Sequence, residues 1–134
     1  MIGFRHKREG AARNRMPDGT VYAGSLDSKD IYTTREDAPL THTFNEASEY
    51  AAKLNRDKYL GHADWRVPTK GELNVLFQNR AAIGEFDESG SDPAGWYWSS
   101  SQYVDYNAWA QRFSDGNQNY GDVIGEASLR CVRG

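Results

Sequence analysis

A single cysteine, Cys131, occurs in the 134 residues, so no disulfide can form within the chain and no thiol pair is available for dithiol chemistry. A lone cysteine beside Val132 is expected to be a small buried apolar residue. The three histidines, His6, His42 and His62, stand too far from it and from one another for the short ligand spacing of a zinc site. No apolar run is long enough to span a membrane. Positive charge is not in excess. Sixteen Lys and Arg face nineteen Asp and Glu, a net charge of −3, which disfavours nucleic acid as a ligand. The exception is the segment 1–15, basic through Arg5, Lys7, Arg8, Arg13 and Arg15. It lacks the hydrophobic centre of a secretory leader. It reads as a peripheral arm, or as an anionic contact or tether to an upstream region, in which Ile2 and Phe4 could pair as a short strand with a partner. Either the protein is used without export by that route, or the sequence is part of a longer chain. At this length one domain is expected, over 16–134.

Aliphatic residues are sparse in the last third, but aromatic ones are not. Eight of the seventeen aromatic side chains lie between Trp96 and Tyr120, among Ser, Asn, Asp and Gly. Large rigid rings with small adaptable polar groups are the composition of a recognition surface. The residues before it read as scaffold. Met16-Pro17-Asp18-Gly19 signals a turn, followed by strands at Thr20–Ala23 and Ile31–Thr34 that can pair as a hairpin. Thr43 with Glu46 and Thr69 with Glu72 each form a capping box ahead of an apolar stripe, predicting helices over 44–56 and 70–80. Pro68 keeps Trp65-Arg66-Val67 extended between them. Residues 81–95 predict a long acidic surface loop carrying Glu85, Asp87, Glu88 and Asp92. Alternation predicts strands at 96–101 and 108–113, and a last one at 128–133, with polar loops at about 102–107 and 114–127 between them. Helices followed by strands give an α+β domain: two helices packed on short antiparallel strands with long loops.

Several motifs together resemble a known family. They are Asp64-Trp65-Arg66-Val67-Pro68-Thr69 with Glu72-Leu73, Tyr97-Trp98-Ser99-Ser100-Ser101, Ala108-Trp109, Phe113-Ser114-Asp115-Gly116, and Leu129-Arg130-Cys131-Val132-Arg133. In combination, from about Met16 onward, they are similar to the bacterial and phage domain DUF1566, related to the C-terminal domain of a collagen-like adhesin (Lcl). The resemblance implies a C-type lectin-like fold, in the branch shared with formylglycine-generating enzymes. Some members are similar to the variable proteins of diversity-generating retroelements, whose C-terminal stretch is diversified by mutation of template adenines. Asn-type template codons cannot yield Lys, Glu, Gln, Met or Trp. The stretches 104–107 and 119–125 contain none of these, whereas Trp96, Trp98, Trp109, Gln111, Gln118 and Glu126 would be fixed positions. The Glu-Pro-Asn, Gln-Pro-Asp and Trp-Asn-Asp motifs of calcium-dependent sugar binding are missing, and so is the cysteine pair of formylglycine-generating enzymes.

Chemistry is weakly signalled. Ser99, Ser100 and Ser101 have no nucleophile elbow around them and are expected to bond to backbone. Asp115, Asn117, Asn119 and Glu126 occupy positions 1, 3, 5 and 12 of a calcium loop, but Tyr120 stands where the glycine belongs, so a solvated turn is the stronger reading. Trp65, Trp96, Trp98, Trp109 and Phe113 are expected in the core. Contact residues are expected in the loops: Tyr103, Val104, Asp105, Tyr106, Asn107, Asn117, Asn119, Tyr120, Asp122 and Val123. The function expected is a non-enzymatic binding module without a cofactor. It would take a protein or glycan on another cell or assembly, in the setting of a phage particle or bacterial surface. A structural module of a phage tail or fibre, in which the loops contact a neighbouring subunit, and an enzyme of the formylglycine-generating branch are the alternatives.

Overall fold

The computed structural model describes residues 14–134. Most of the basic arm, with the strand expected at Ile2 and Phe4, lies outside the described residues. Two antiparallel three-stranded sheets and three helices make a mixed α and β architecture among the described residues.

The first hairpin pairs β1, Val21–Leu26, with β2, Lys29–Thr33. Both strands run further than expected, leaving only Asp27 and Ser28 in the turn. Both have positive φ, 52° and 65°, the geometry whose twist matches paired strands. A bulge at Gly24 lets a helix approach closely: at its φ of 130°, an added Cβ would sit 2.8 Å from Val75 Cγ1.

Both capping boxes form. Thr43 opens α1, Phe44–Arg56, and Thr69 opens α2, Lys70–Gln78. In each, the threonine hydroxyl accepts the N–H three residues on, and the glutamate carboxylate accepts the threonine N–H at 2.9 Å. Asn79 ends α2 and starts the one-turn α3, Arg80–Ile83, while its side chain amide donates to the Ala23 carbonyl. The expected acidic loop therefore begins as helix and is irregular only from Gly84.

The second sheet orders β3, Trp96–Val104, then β4, Asn107–Arg112, then β5, Gln118–Asp122. This corrects the two expected loops. Residues 102–104 and 107 are strand, leaving a turn at Asp105 and Tyr106, and a third strand runs through 114–127. Asn, Gly and Asp are poor strand formers, so β5 carries no hydrophobic alternation to betray it. Its backbone pairing to β4, residue by residue from Asn107↔Asp122 to Gln111↔Gln118, makes it a strand. The last expected strand shrinks to β6, Val132–Arg133, which joins β1 and β2. Residues 128–131 lie outside the named strands and their partners are scattered: Leu129 O accepts from Ala38 N–H and Cys131 O from the Thr33 hydroxyl.

Successive residues of β3 serve two cores. Trp98 packs with Trp65, Leu54, Ala51 and Leu129 beneath α1. Tyr97 packs with Phe113, Leu73, Leu76 and Ile31 beneath α2. Trp65, Trp98 and Phe113 are buried, as expected; Trp96 and Trp109 are only half-buried. Cys131 is buried, and desolvation pushes its thiol up to about 12, far from reactive thiolate chemistry.

Candidate ligand-binding surface

Strand β3 changes character along its length. Its first half is buried, through Tyr97, Trp98 and Ser99. From Gln102 to Val104 it is exposed. Register shifts on both sides of Gln102 separate the halves. The serines between them are occupied by backbone. Ser99 Oγ donates to the Trp109 carbonyl at 2.7 Å and accepts the Ser101 N–H; Ser101 Oγ accepts the Lys70 N–H. The expectation of backbone-bonded hydroxyls holds at Ser99 and Ser101.

The root of the strand is locked by a buried polar network. Arg130 is fully buried and donates through Nε to Asp37 at 2.9 Å, and to the carbonyls of Thr34, Gly84 and Glu85. Its guanidinium lies 4.0 Å from the Phe86 ring centre. The Tyr97 hydroxyl donates to the other oxygen of Asp37 and accepts the Asp87 N–H at 2.7 Å. Burial raises the Asp37 carboxyl and lowers the Arg130 guanidinium, each opposed by the charge of its partner. Five donors on a side chain that keeps its proton, with four acceptors around them, hold this pair together as an ion pair. Sequence reasoning placed Arg130 in a strand and gave it no role. The available signal was an arginine inside the otherwise apolar run Leu129–Val132. The acidic loop is likewise more than a solvated surface: its carbonyls accept from Arg130, the Asp87 N–H donates to the Tyr97 hydroxyl, and Glu88 pairs with Arg80.

At the other end the exposed residues converge. Val104, Asn107 and Asp122 stand side by side across β3, β4 and β5. Asp105 and Tyr106 form the turn above them. Tyr106 is 76% exposed, and its carbonyl accepts the Val123 N–H, tying the turn to the end of β5. On the face toward α2, the rings of Tyr103 and Tyr120 stack at 4.2 Å and 11°. Both meet the edge of Trp109, over which Lys70 Nζ sits at 3.7 Å. Ile124, a residue not singled out from the sequence, is 80% exposed nearby in the chain.

Of the ten expected contact residues, seven belong to this tip: Tyr103, Val104, Asp105, Tyr106, Asn107, Tyr120 and Asp122. Asn119, paired with Ala110 at the level of Trp98, lies lower on the sheet and lines a groove on its other face. Val123 is half-buried against the α1 core. Asn117 precedes β5 at its far end, roughly 16 Å of strand from Asp122, where its carbonyl accepts the Arg112 N–H. The calcium-loop candidates are spread over a turn, a strand and a later loop. Asp115 is gripped by Arg112 through two bonds, 3.0 and 2.6 Å, which with the Asn117 N–H hold its carboxyl down to about 2. Glu126 accepts from the Thr41 hydroxyl, and Asn119 Oδ1 accepts the Tyr120 N–H.

The opposite face of the same sheet carries a groove of about 520 Å³. Trp96, Trp98, Ala110 and Gly121 line it, with Asp92 and Pro93 on one side and Asp122, Gly125 and Glu126 on the other. Trp98 is fixed by its indole N–H to the His42 carbonyl, at 2.6 Å, and by an edge contact with Phe44. Asn119 and Tyr120 also line it, and with Asp122 they are the lining residues that were among the expected contacts; Asp92, Trp96 and Glu126 were not.

Residues 13–133 match the family described as the Lcl C-terminal domain. The chain belongs to that family. The match covers both sheets, the three helices, the Arg130 network and the whole exposed tip. No curated protein matches the chain. Among the described residues of this Lcl C-terminal domain, no helix is long and apolar enough to cross a membrane.

Proposed function

We propose that this Lcl C-terminal domain is a non-enzymatic, receptor- or adhesin-type binding module on a C-type lectin-like scaffold, and the diversified variable protein of a diversity-generating retroelement. The observation that carries the reading is the division of β3–β4–β5 into a fixed root and an exposed tip. Of the positions that a mutated Asn-type codon could not produce, Trp98 and Gln111 are buried, Trp96, Trp109 and Gln118 are half-buried, and Glu126 is exposed. Positions that it could produce, Val104, Asp105, Tyr106, Asn119, Tyr120 and Asp122, are exposed. A lectin-like scaffold is supported by the closure of the chain on itself, since β1 and β2 share their sheet with the C-terminal β6. Three exposed tyrosines among Asn and Asp offer large contact area at low entropy cost.

Binding of the purified protein to arrayed glycans and extracellular proteins tests the module. The double variant Tyr103→Ala, Tyr106→Ala should lose the captured ligand while its melting temperature stays within a few degrees. Undiminished capture by that variant would refute the tip as the contact surface. A near-copy of codons 96–134 beside a reverse transcriptase gene is the genomic test of diversification.

A further inference from the structure

The groove beneath Trp96 falls in the size range of small-ligand sites, roughly 300–1,000 Å³. Its floor is aromatic and apolar: Trp96, Trp98 and Ala110. Its rim carries three carboxylates, Asp92, Asp122 and Glu126, and among the described residues no lysine or arginine lines it. The geometry points to a docking groove for a cationic side chain, arginine or lysine, presented by a peptide segment of a partner protein. This rests on the binding-module reading and names the chemistry of the ligand.

Charge complementarity supports that occupant. Indole faces attract cations, and carboxylates above a low-dielectric wall concentrate negative potential in the cleft. The nearby Arg112 does not neutralise the rim. Arg112, centred 5.2 Å from the Trp96 ring, has its guanidinium committed to Asp115 in a bidentate pair. The rim carboxylates retain free valence. Asp122 Oδ1 accepts the Ile124 N–H and Glu126 Oε1 accepts the Thr41 hydroxyl, and the second oxygen of each has no partner among the described residues. A phosphate- or sulfate-bearing ligand meets three like charges here. A neutral sugar can stack on the indoles but leaves the rim charge uncompensated.

The test follows the indole N–H signals of Trp96 and Trp98 by NMR during titration. The probes are the capped peptide Ala-Arg-Ala-Arg-Ala, the same peptide with Glu for Arg, and maltose. The arginine peptide should shift the Trp96 signal saturably, and the other two should not. Affinity should fall about tenfold in Asp122→Asn, Glu126→Gln, and fall again between about 0.05 and 0.5 M salt. Glutamine keeps the acceptor for Thr41, and Glu126→Gln alone, at an exposed position, should give the same ordering with about a threefold loss if the double variant unfolds. Absence of a saturable shift, full affinity in the charge variants, or a shift with maltose alone would overturn the proposal. Peptide binding that survives Tyr103→Ala, Tyr106→Ala, whose array ligand is lost or not, is scored separately: it supports the groove whatever becomes of the tyrosine tip.

Discussion

The two ends of β3 use the same kinds of residue for opposite purposes. At the root, Tyr97 is fully buried and its hydroxyl is bonded on both sides, to Asp37 and to the Asp87 N–H. At the tip, Tyr103 is 51% exposed, its ring stacked on Tyr120 and set against Trp109. Two arginines differ likewise, one in the buried network and one at the surface opposite Trp96. Arg130 has every bond inside the protein, whereas Arg112 pairs with Asp115 at the surface. The lesson is that sequence identity at the root is fixed by hydrogen bonds that no other side chain makes. At the tip the backbone ladder of β4 and β5 carries the structure, which leaves side chains there free for the binding role proposed above.

Substitutions can break that comparison. The largest effect is expected from Arg130→Met, which leaves Asp37 buried without its cation and should cost about 3–5 kcal/mol in urea unfolding. Next, Tyr97→Phe keeps the ring but orphans the Asp87 N–H, and should cost about 1–3 kcal/mol. A smaller effect is expected from Glu72→Gln, which weakens both the α2 capping box and the bidentate pair with Arg66. Burial opposes ionisation of Glu72, but Arg66 and the Thr69 N–H prevail and lower its pKa from 4.5. A carboxyl lower in the folded than in the unfolded state stabilises above its unfolded pKa and loses that contribution as pH falls through the folded value. The wild type should therefore lose stability on acidification below about pH 4.5. The variant should start lower at neutral pH, by about 1–2 kcal/mol, and show a shallower acid limb. The smallest effect is expected from Tyr106→Ala, within about 0.5 kcal/mol of wild type. A loss at Tyr106 as large as that at Tyr97 would erase the distinction between tip and root.

Legibility of the sequence followed the same divide. The helices were readable because Thr43 with Glu46 and Thr69 with Glu72 encode their starts locally, and apolar spacing marks their faces. The first hairpin was readable, but its length was not, because the positive φ values of Asp27 and Ser28 extend pairing into polar residues. β5 was hidden because a polar edge strand owes its existence to the backbone of β4, which no local pattern records. Exposure of Tyr103, Tyr106 and Tyr120 was readable from their polar neighbours. The groove was not, since Asp92 and Trp96 meet Asp122 and Glu126 only through tertiary folding. Arg130 was overlooked for the same reason: its acceptors lie at Thr34, Asp37, Gly84 and Glu85, far away in the chain.

The most direct test of the central claim is the survival of two displayed libraries under protease. One randomises the tip at Val104, Asp105, Tyr106, Asn107, Tyr120 and Asp122; the other randomises the root at Tyr97, Trp98, Gln111, Phe113, Leu129 and Arg130. Most tip variants should remain folded and resistant, while nearly all root variants should be cleaved. Equal survival of the two libraries would contradict the account.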